Sequence, residues 1–112
     1  MNRLYLSGPM SNLPDENFPA FNEASAKLRA AGFTVVNPAE LKVDVTGLTG
    51  RARWQKFLKA DLKALVDCDA IVMLPGWESS EGAELERYVA KKLGIEVAYS
   101  IEAAIDLWLV PF

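Results

Sequence analysis

Glu86 falls where a core residue is expected. In the stretch Ser79-Ser80-Glu81-Gly82-Ala83-Glu84-Leu85-Glu86 it shares the apolar stripe of a predicted helix with Gly82, Leu85, Val89 and Leu93. An unpaired charge is expensive to bury. A glutamate turned toward its own sheet is therefore either a residue at the stripe's edge with its head in water, or a nucleophile or proton carrier in a dry cleft. Position alone does not choose between them. Asp61 is a second carboxylate of this kind, flanked at helical spacing by Phe57, Leu58 and Leu65. Its bland alternative is a pairing with Lys59 or Lys63, and both lysines lie on other faces of the helix. Glu81 and Glu84 read as ordinary solvent-facing charges.

Three further groups have chemistry-bearing composition. Ser80 and Gly82 open the helix that carries Glu86. Ser80 is a natural N-cap, yet a helix N-terminus after a buried strand also suits an anion. Gly82 lowers helix propensity, so a ligand or a neighbouring strand is expected close to its backbone. Tyr5, followed by Ser7-Gly8-Pro9-Met10-Ser11, places a phenol where it can orient a carboxylate, or simply fill a core. The glycine turn after it offers N–H groups that suit a phosphate. Of the tryptophans, Trp77 stands in a loop suited to stacking on a base, Trp54 reads as core, and Trp108 lies in an apolar tail. Asp69 reads as a strand-terminating residue and Cys68 as a small buried hydrophobe.

Composition narrows the classes of chemistry. The chain has 112 residues, 51% of them hydrophobic, which fits one compact domain over residues 1–112. A net charge of −3 with no basic tract argues against a nucleic acid polymer as partner. Small anionic metabolites stay open, since backbone N–H groups bind them without net positive charge. The single cysteine excludes an intrachain disulfide framework. The absence of histidine removes Ser-His-Asp and Cys-His catalysis and the common zinc sites. General acid–base work then falls to carboxylates, tyrosine or lysine. No segment reads as a signal peptide or a membrane span, so a cytoplasmic protein without membrane contact is expected.

The elements that must position these residues alternate in type. Arg3 to Leu6 reads as a strand, Phe18 to Ala31 as a helix stopped by Gly32, and Phe33 to Val36 as a second strand. A looser stretch over residues 39–50 precedes a helix from about Ala52 to Val66. Ala70 to Leu74 is an unbroken apolar run, a strand buried on both sides. Ser80 to Leu93, Ile95 to Tyr99 and Ile101 to Leu109 read as helix, strand and helix. Such alternation implies a small doubly wound, flavodoxin-like α/β fold: a parallel sheet of four to five strands with helices on both faces. Ligands in these folds sit beyond the carboxyl ends of the strands where strand order reverses. The loops Ser7 to Ser11 and Pro75 to Gly82 qualify.

The pattern Tyr5-x-Ser7-Gly8, then Asp61-Leu62, then Ser80-x-Gly82-x-x-x-Glu86 resembles the nucleoside 2-deoxyribosyltransferase-like superfamily. Tyr5-Leu6-Ser7-Gly8-Pro9-Met10, Asn37-Pro38-Ala39-Glu40, Asp67-Cys68-Asp69-Ala70 and Leu74-Pro75-Gly76-Trp77 are similar to a small phage and bacterial branch of it. The resemblance covers nearly the whole chain. It implies Glu86 as a nucleophile on the anomeric carbon of a deoxyribose. It implies Asp61 as the group that assists the leaving base or positions the nucleophile, and Tyr5 as the residue that orients Glu86. Ser7, Gly8, Pro9, Met10, Ser11, Trp77, Ser80 and Gly82 would contact a nucleoside or nucleotide. No metal or cofactor is implied. The transferases of the superfamily carry an acidic residue at the position of Ser80, and the monophosphate N-glycosidases carry serine. Serine there suits a 5′-phosphate. The glycosidases also carry an arginine near the position of Ser11, and this chain has none there. The resemblance implies hydrolysis of a (deoxy)nucleoside 5′-monophosphate, with base transfer or non-catalytic nucleotide sensing as alternatives. It also implies a homo-oligomer, in keeping with the apolar tail Leu107 to Phe112.

Overall fold

Strand β1 (Arg3–Ser7) is the central rail of the molecule in the computed structural model, which describes residues 3–109. It is flanked by β2 (Thr34–Val36) and β3 (Ala70–Met73), and β3 pairs onward with β4 (Glu96–Ala98). All pairings are parallel and the order is β2-β1-β3-β4. The sheet is the expected one, with four strands among the described residues. The order reverses between β1 and β3, so the predicted switch point lies beyond Ser7 and Met73, which are register partners.

The pleat of β1 sorts its side chains. Leu4 and Leu6 enter one apolar layer with Val35, Val72 and Phe21, covered by α1 (Phe18–Ala30) and α4 (Ile101–Trp108). Tyr5 enters the opposite layer with Ile71, Met73, Leu65 and Ala83, covered by α2 (Gly50–Leu65) and α3 (Glu81–Lys92). Strand residues two apart share a face, so Tyr5 and Ser7 both address α2 and α3. The strand runs one residue past its expected end at Leu6, and that residue is Ser7.

Two turns shape the carboxyl edge. An alanine Cβ at Gly8 would stand 2.9 Å from Leu74 Cβ, so the backbone after β1 packs directly on the backbone after β3. Farther along, Asn12, Asp15, Glu16 and Asn17 all take left-handed backbone angles, with φ between 51° and 66°. Asn17 Nδ2 donates to the Pro9 carbonyl at 2.8 Å and ties this turn back to the loop. The Asn37-Pro38-Ala39-Glu40 motif is a clamp: buried Asn37 accepts from Ala39 N and donates to Asn22, and Glu40 takes both ends of the Arg29 fork.

The tail differs from expectation. Trp108 is buried in the first layer and donates Nε1–H to Glu96 at 2.9 Å, while Leu107 and Leu109 are exposed. Residues 110–112 of the predicted apolar tail lie outside the described residues. No described helix is long and apolar enough to cross a membrane.

Candidate active site

Glu86 is held by two hydroxyls from β1. Tyr5 donates O–H to Oε2 at 2.6 Å and Ser7 donates Oγ–H to Oε1 at 2.6 Å. These are lengths of hydrogen bonds to an ionised acceptor. Glu86 is 5% exposed, and Tyr5 and Ser7 are effectively sealed. The helix that carries it is fixed at its start, where Ser80 Oγ accepts from Ala83 N at 3.2 Å as an N-cap. The sheet thus supplies the donors and α3 supplies the acceptor.

Burial pushes the Glu86 carboxyl up to about 8; the Asp61 charge adds to this, and the Ser7 and Tyr5 hydrogen bonds pull it back. Burial alone pushes Asp61 up to about 7. Neither Lys59 nor Lys63 pairs with Asp61, and among the described residues it takes part in no ion pair. Burial and the two carboxylates push the Tyr5 phenol well above its usual range, so it remains a donor. Two interacting acids of this kind titrate as a pair and retain one proton between them near neutral pH.

Both carboxylates open onto one cavity of about 360 Å³ beyond the carboxyl end of β1. One stripe of α2 forms a wall: Arg53, Trp54, Phe57, Leu58 and Asp61. Phe18, Phe21, Pro38 and Leu41 complete an apolar side, while Ser11, Asn12, Glu16 and Ser80 add polar groups. The cavity therefore joins a paired acid centre to aromatic surface, a composition suited to a small molecule with an apolar ring and polar substituents. Among the described residues no three His, Cys, Asp or Glu side chains are grouped as metal ligands.

Residues 2–99 match the model of a domain of unknown function, DUF4406. The chain belongs to that family. No curated protein matches it. Every residue of the acid centre in this DUF4406 chain falls within the matched span, and α4 lies beyond it.

The DUF4406 cavity gathers most of the residues singled out from sequence. Tyr5, Ser7, Gly8, Met10, Ser11, Asp61, Ser80, Gly82 and Glu86 all line it. Ser7 differs from expectation, because its hydroxyl is taken by Glu86. Pro9 lines a neighbouring cleft, and its carbonyl serves Asn17. A Cβ added at Gly82 would meet the Trp54 indole first, at 3.9 Å, an ordinary contact, so no strand crowds it.

The tryptophans exchange roles. Trp77 stands outside the cavity. It packs on the second apolar layer between Tyr99, 5.7 Å away, and the Arg87 guanidinium, 5.0 Å away. The turn at Gly76, with φ of +90°, carries it to that side. Trp54, read as core, is a cavity wall with the Arg51 guanidinium 4.1 Å above its ring. Sequence reasoning also passed over Arg53. It stands four residues before Phe57 and eight before Asp61, on the same helical stripe, and that spacing was the available signal. Arg53 brings a positive charge to the cavity from α2.

Proposed function

We propose that this protein is an N-glycosidase that hydrolyses the base–sugar bond of a (deoxy)nucleoside 5′-monophosphate, with Glu86 as nucleophile. The observation that supports this most is a buried glutamate with two hydroxyl donors, facing a cavity that also holds a second carboxyl with no hydrogen-bond partner among the described residues. Retaining glycosidases use two carboxyl groups in this division of labour.

The shared proton belongs on Asp61. Ranked by burial alone, Glu86 would be the weaker acid. Protonating Glu86, however, would remove the charge that strengthens its hydrogen bonds from Tyr5 and Ser7, and protonating Asp61 weakens no such bond. In the first step a Glu86 oxygen bonds to the anomeric carbon as the carbon–nitrogen bond to the base breaks, and Asp61 delivers its proton to the departing base. The developing positive charge on the sugar is stabilised by the carboxylate beside it. In the second step water attacks the same carbon, Asp61 takes its proton, and Glu86 leaves. The products are a free base and a sugar 5-phosphate.

The assay is release of free base from a panel of nucleosides and nucleoside 5′-monophosphates. Glu86→Ala and Glu86→Gln are each expected to lower kcat at least 1,000-fold, roughly what loss of an essential nucleophile does. Base release that survives Glu86→Ala sinks the mechanism. Appearance of a new nucleoside when a second base is added would instead favour base transfer. Binding without base release, unaffected by Glu86→Gln, would favour a nucleotide-sensing module.

We also read the protein as a cytoplasmic homo-oligomer. Tyr88, Leu93, Leu107 and Leu109 are large exposed apolar side chains, which suit burial against another copy. Sedimentation velocity is expected to show a dimer or larger species, and Leu107→Lys is expected to shift it toward monomer. A monomer at all concentrations would overturn this.

A further inference from the structure

The structure assigns Arg53 as the group that reads the ligand's phosphate, with Glu16 as the carboxylate that occupies it until the ligand arrives. This inference rests on the reading of the cavity as a nucleotide site. It goes beyond that reading by naming the residue that sets the preference for a monophosphate over a nucleoside.

The argument begins with how arginines are held. Arg29 engages Glu40 through both ends of its fork, at 2.7 and 2.9 Å. Arg51 engages Glu81 in the same bidentate way, at 2.7 and 3.1 Å. Arg53 reaches Glu16 through a single contact at 3.4 Å, with both side chains nearly half exposed. That length lies beyond the usual range for a charge-assisted bond. Open pairs of this kind contribute little and dissociate readily. A guanidinium has five donors in a planar fork matched to phosphate oxygens, and most of this fork is unfilled.

Location supplies the second half. Of the described residues that line the cavity, Arg53 alone carries a positive charge, against the carboxyls of Glu16, Asp61 and Glu86. A dianionic ligand entering that field needs a cation, and this is the one present. The guanidinium carbon lies 4.7 Å from the centre of the Phe57 ring, a cation–π contact on the cavity wall. Phe57 stands one turn from Arg53 and Asp61 one turn farther, about 12 Å of helix rise in all between the arginine and the acid. Acid centre, ring surface and cation thus follow one another along a single element. A phosphate monoester presents three oxygens and more negative charge than Glu16, so it displaces the carboxylate and takes the fork. Glu16 is held at that place by the left-handed turn of Asp15, Glu16 and Asn17.

The test measures binding, so that it does not depend on turnover. In the Glu86→Gln background, dissociation constants are determined by calorimetry for the four deoxynucleosides, their 5′-monophosphates and inorganic phosphate. The best monophosphate is expected to bind at least 10-fold more tightly than its nucleoside. Adding Arg53→Ala is expected to erase that ratio, Arg53→Lys to restore part of it, and Glu16→Gln to tighten the monophosphate several-fold. Circular dichroism checks that each variant folds, and the Lys and Gln substitutions keep the comparison available if Arg53→Ala does not. A ratio that survives Arg53→Ala, a ratio near one before any substitution, equal weakening of nucleoside and monophosphate, or no binding of any probe overturns the assignment. An Arg53-dependent ratio in a wild-type protein that releases no base would uphold it while overturning the glycosidase reading.

Discussion

Glu86 is poised by its donors more than by its own chemistry. Each carboxylate oxygen keeps a lone pair free after accepting from Tyr5 or Ser7, so the donors fix its orientation without blocking the attack proposed for it. Tyr5→Phe removes one of them. The anion of Glu86 is then less stabilised and its proton is held more tightly. Activity of the wild type is expected to trace a narrow bell with its maximum between the pair's values of about 7 and about 8, because only the singly protonated pair is competent. For Tyr5→Phe, kcat/KM is expected to fall about 10- to 100-fold and the acid limb to move to higher pH. A loss of rate with an unmoved acid limb would make Tyr5 a packing residue and no more.

At the scale of elements, the site depends on how closely β1 and β3 end together. The Gly8 backbone lies against Leu74, where an added Cβ would come within 2.9 Å of the Leu74 Cβ. Gly8→Ala is expected to destabilise the fold by about 1–3 kcal/mol through overpacking, measured by urea denaturation. A change below experimental error would show that the loop yields freely. The elements themselves were legible in the sequence. The run Ala70 to Leu74 and the stripe of Phe18, Phe21, Ala24 and Leu28 carry unambiguous periods, and Glu86 and Asp61 betrayed themselves by interrupting such stripes. What escaped was the difference between a stripe that faces a core and one that faces a cavity. Trp54, Phe57 and Leu58 have the same periodicity in either case, so Trp54 read as core and Arg53 beside it went unremarked. Glu16 was beyond reach for another reason: three consecutive left-handed residues, Asp15 to Asn17, oppose the preference of L-amino acids, and no propensity announces them.

For the molecule as a whole, the acid pair imposes an unusual pH dependence. The folded values of Glu86 and Asp61 lie above the ordinary carboxylate values of 4.5 and 3.8. Their contribution to stability is therefore complete below those ordinary values and is lost as pH rises toward the folded ones, because the unfolded chain releases protons that the native state retains. Ordinary carboxylates have finished titrating by pH 5.5, and the chain has no histidine. Between pH 5.5 and 8.5 the wild type is expected to lose on the order of 5 kcal/mol, and Glu86→Gln to lose clearly less. Parallel stability curves for the two proteins would refute the burial of an acid pair. The α2 stripe has a different consequence. Asp61, Phe57 and Arg53 are mounted on one rigid rod, so under the proposed function the distance from the acid to the phosphate-reading cation comes in steps of a helical turn, about 5.4 Å each. Under that function, ligand length would be gauged in those units. Substitution can change what the gauge reads, but adapting it to a longer or shorter ligand requires shifting the cation by a whole turn along the helix.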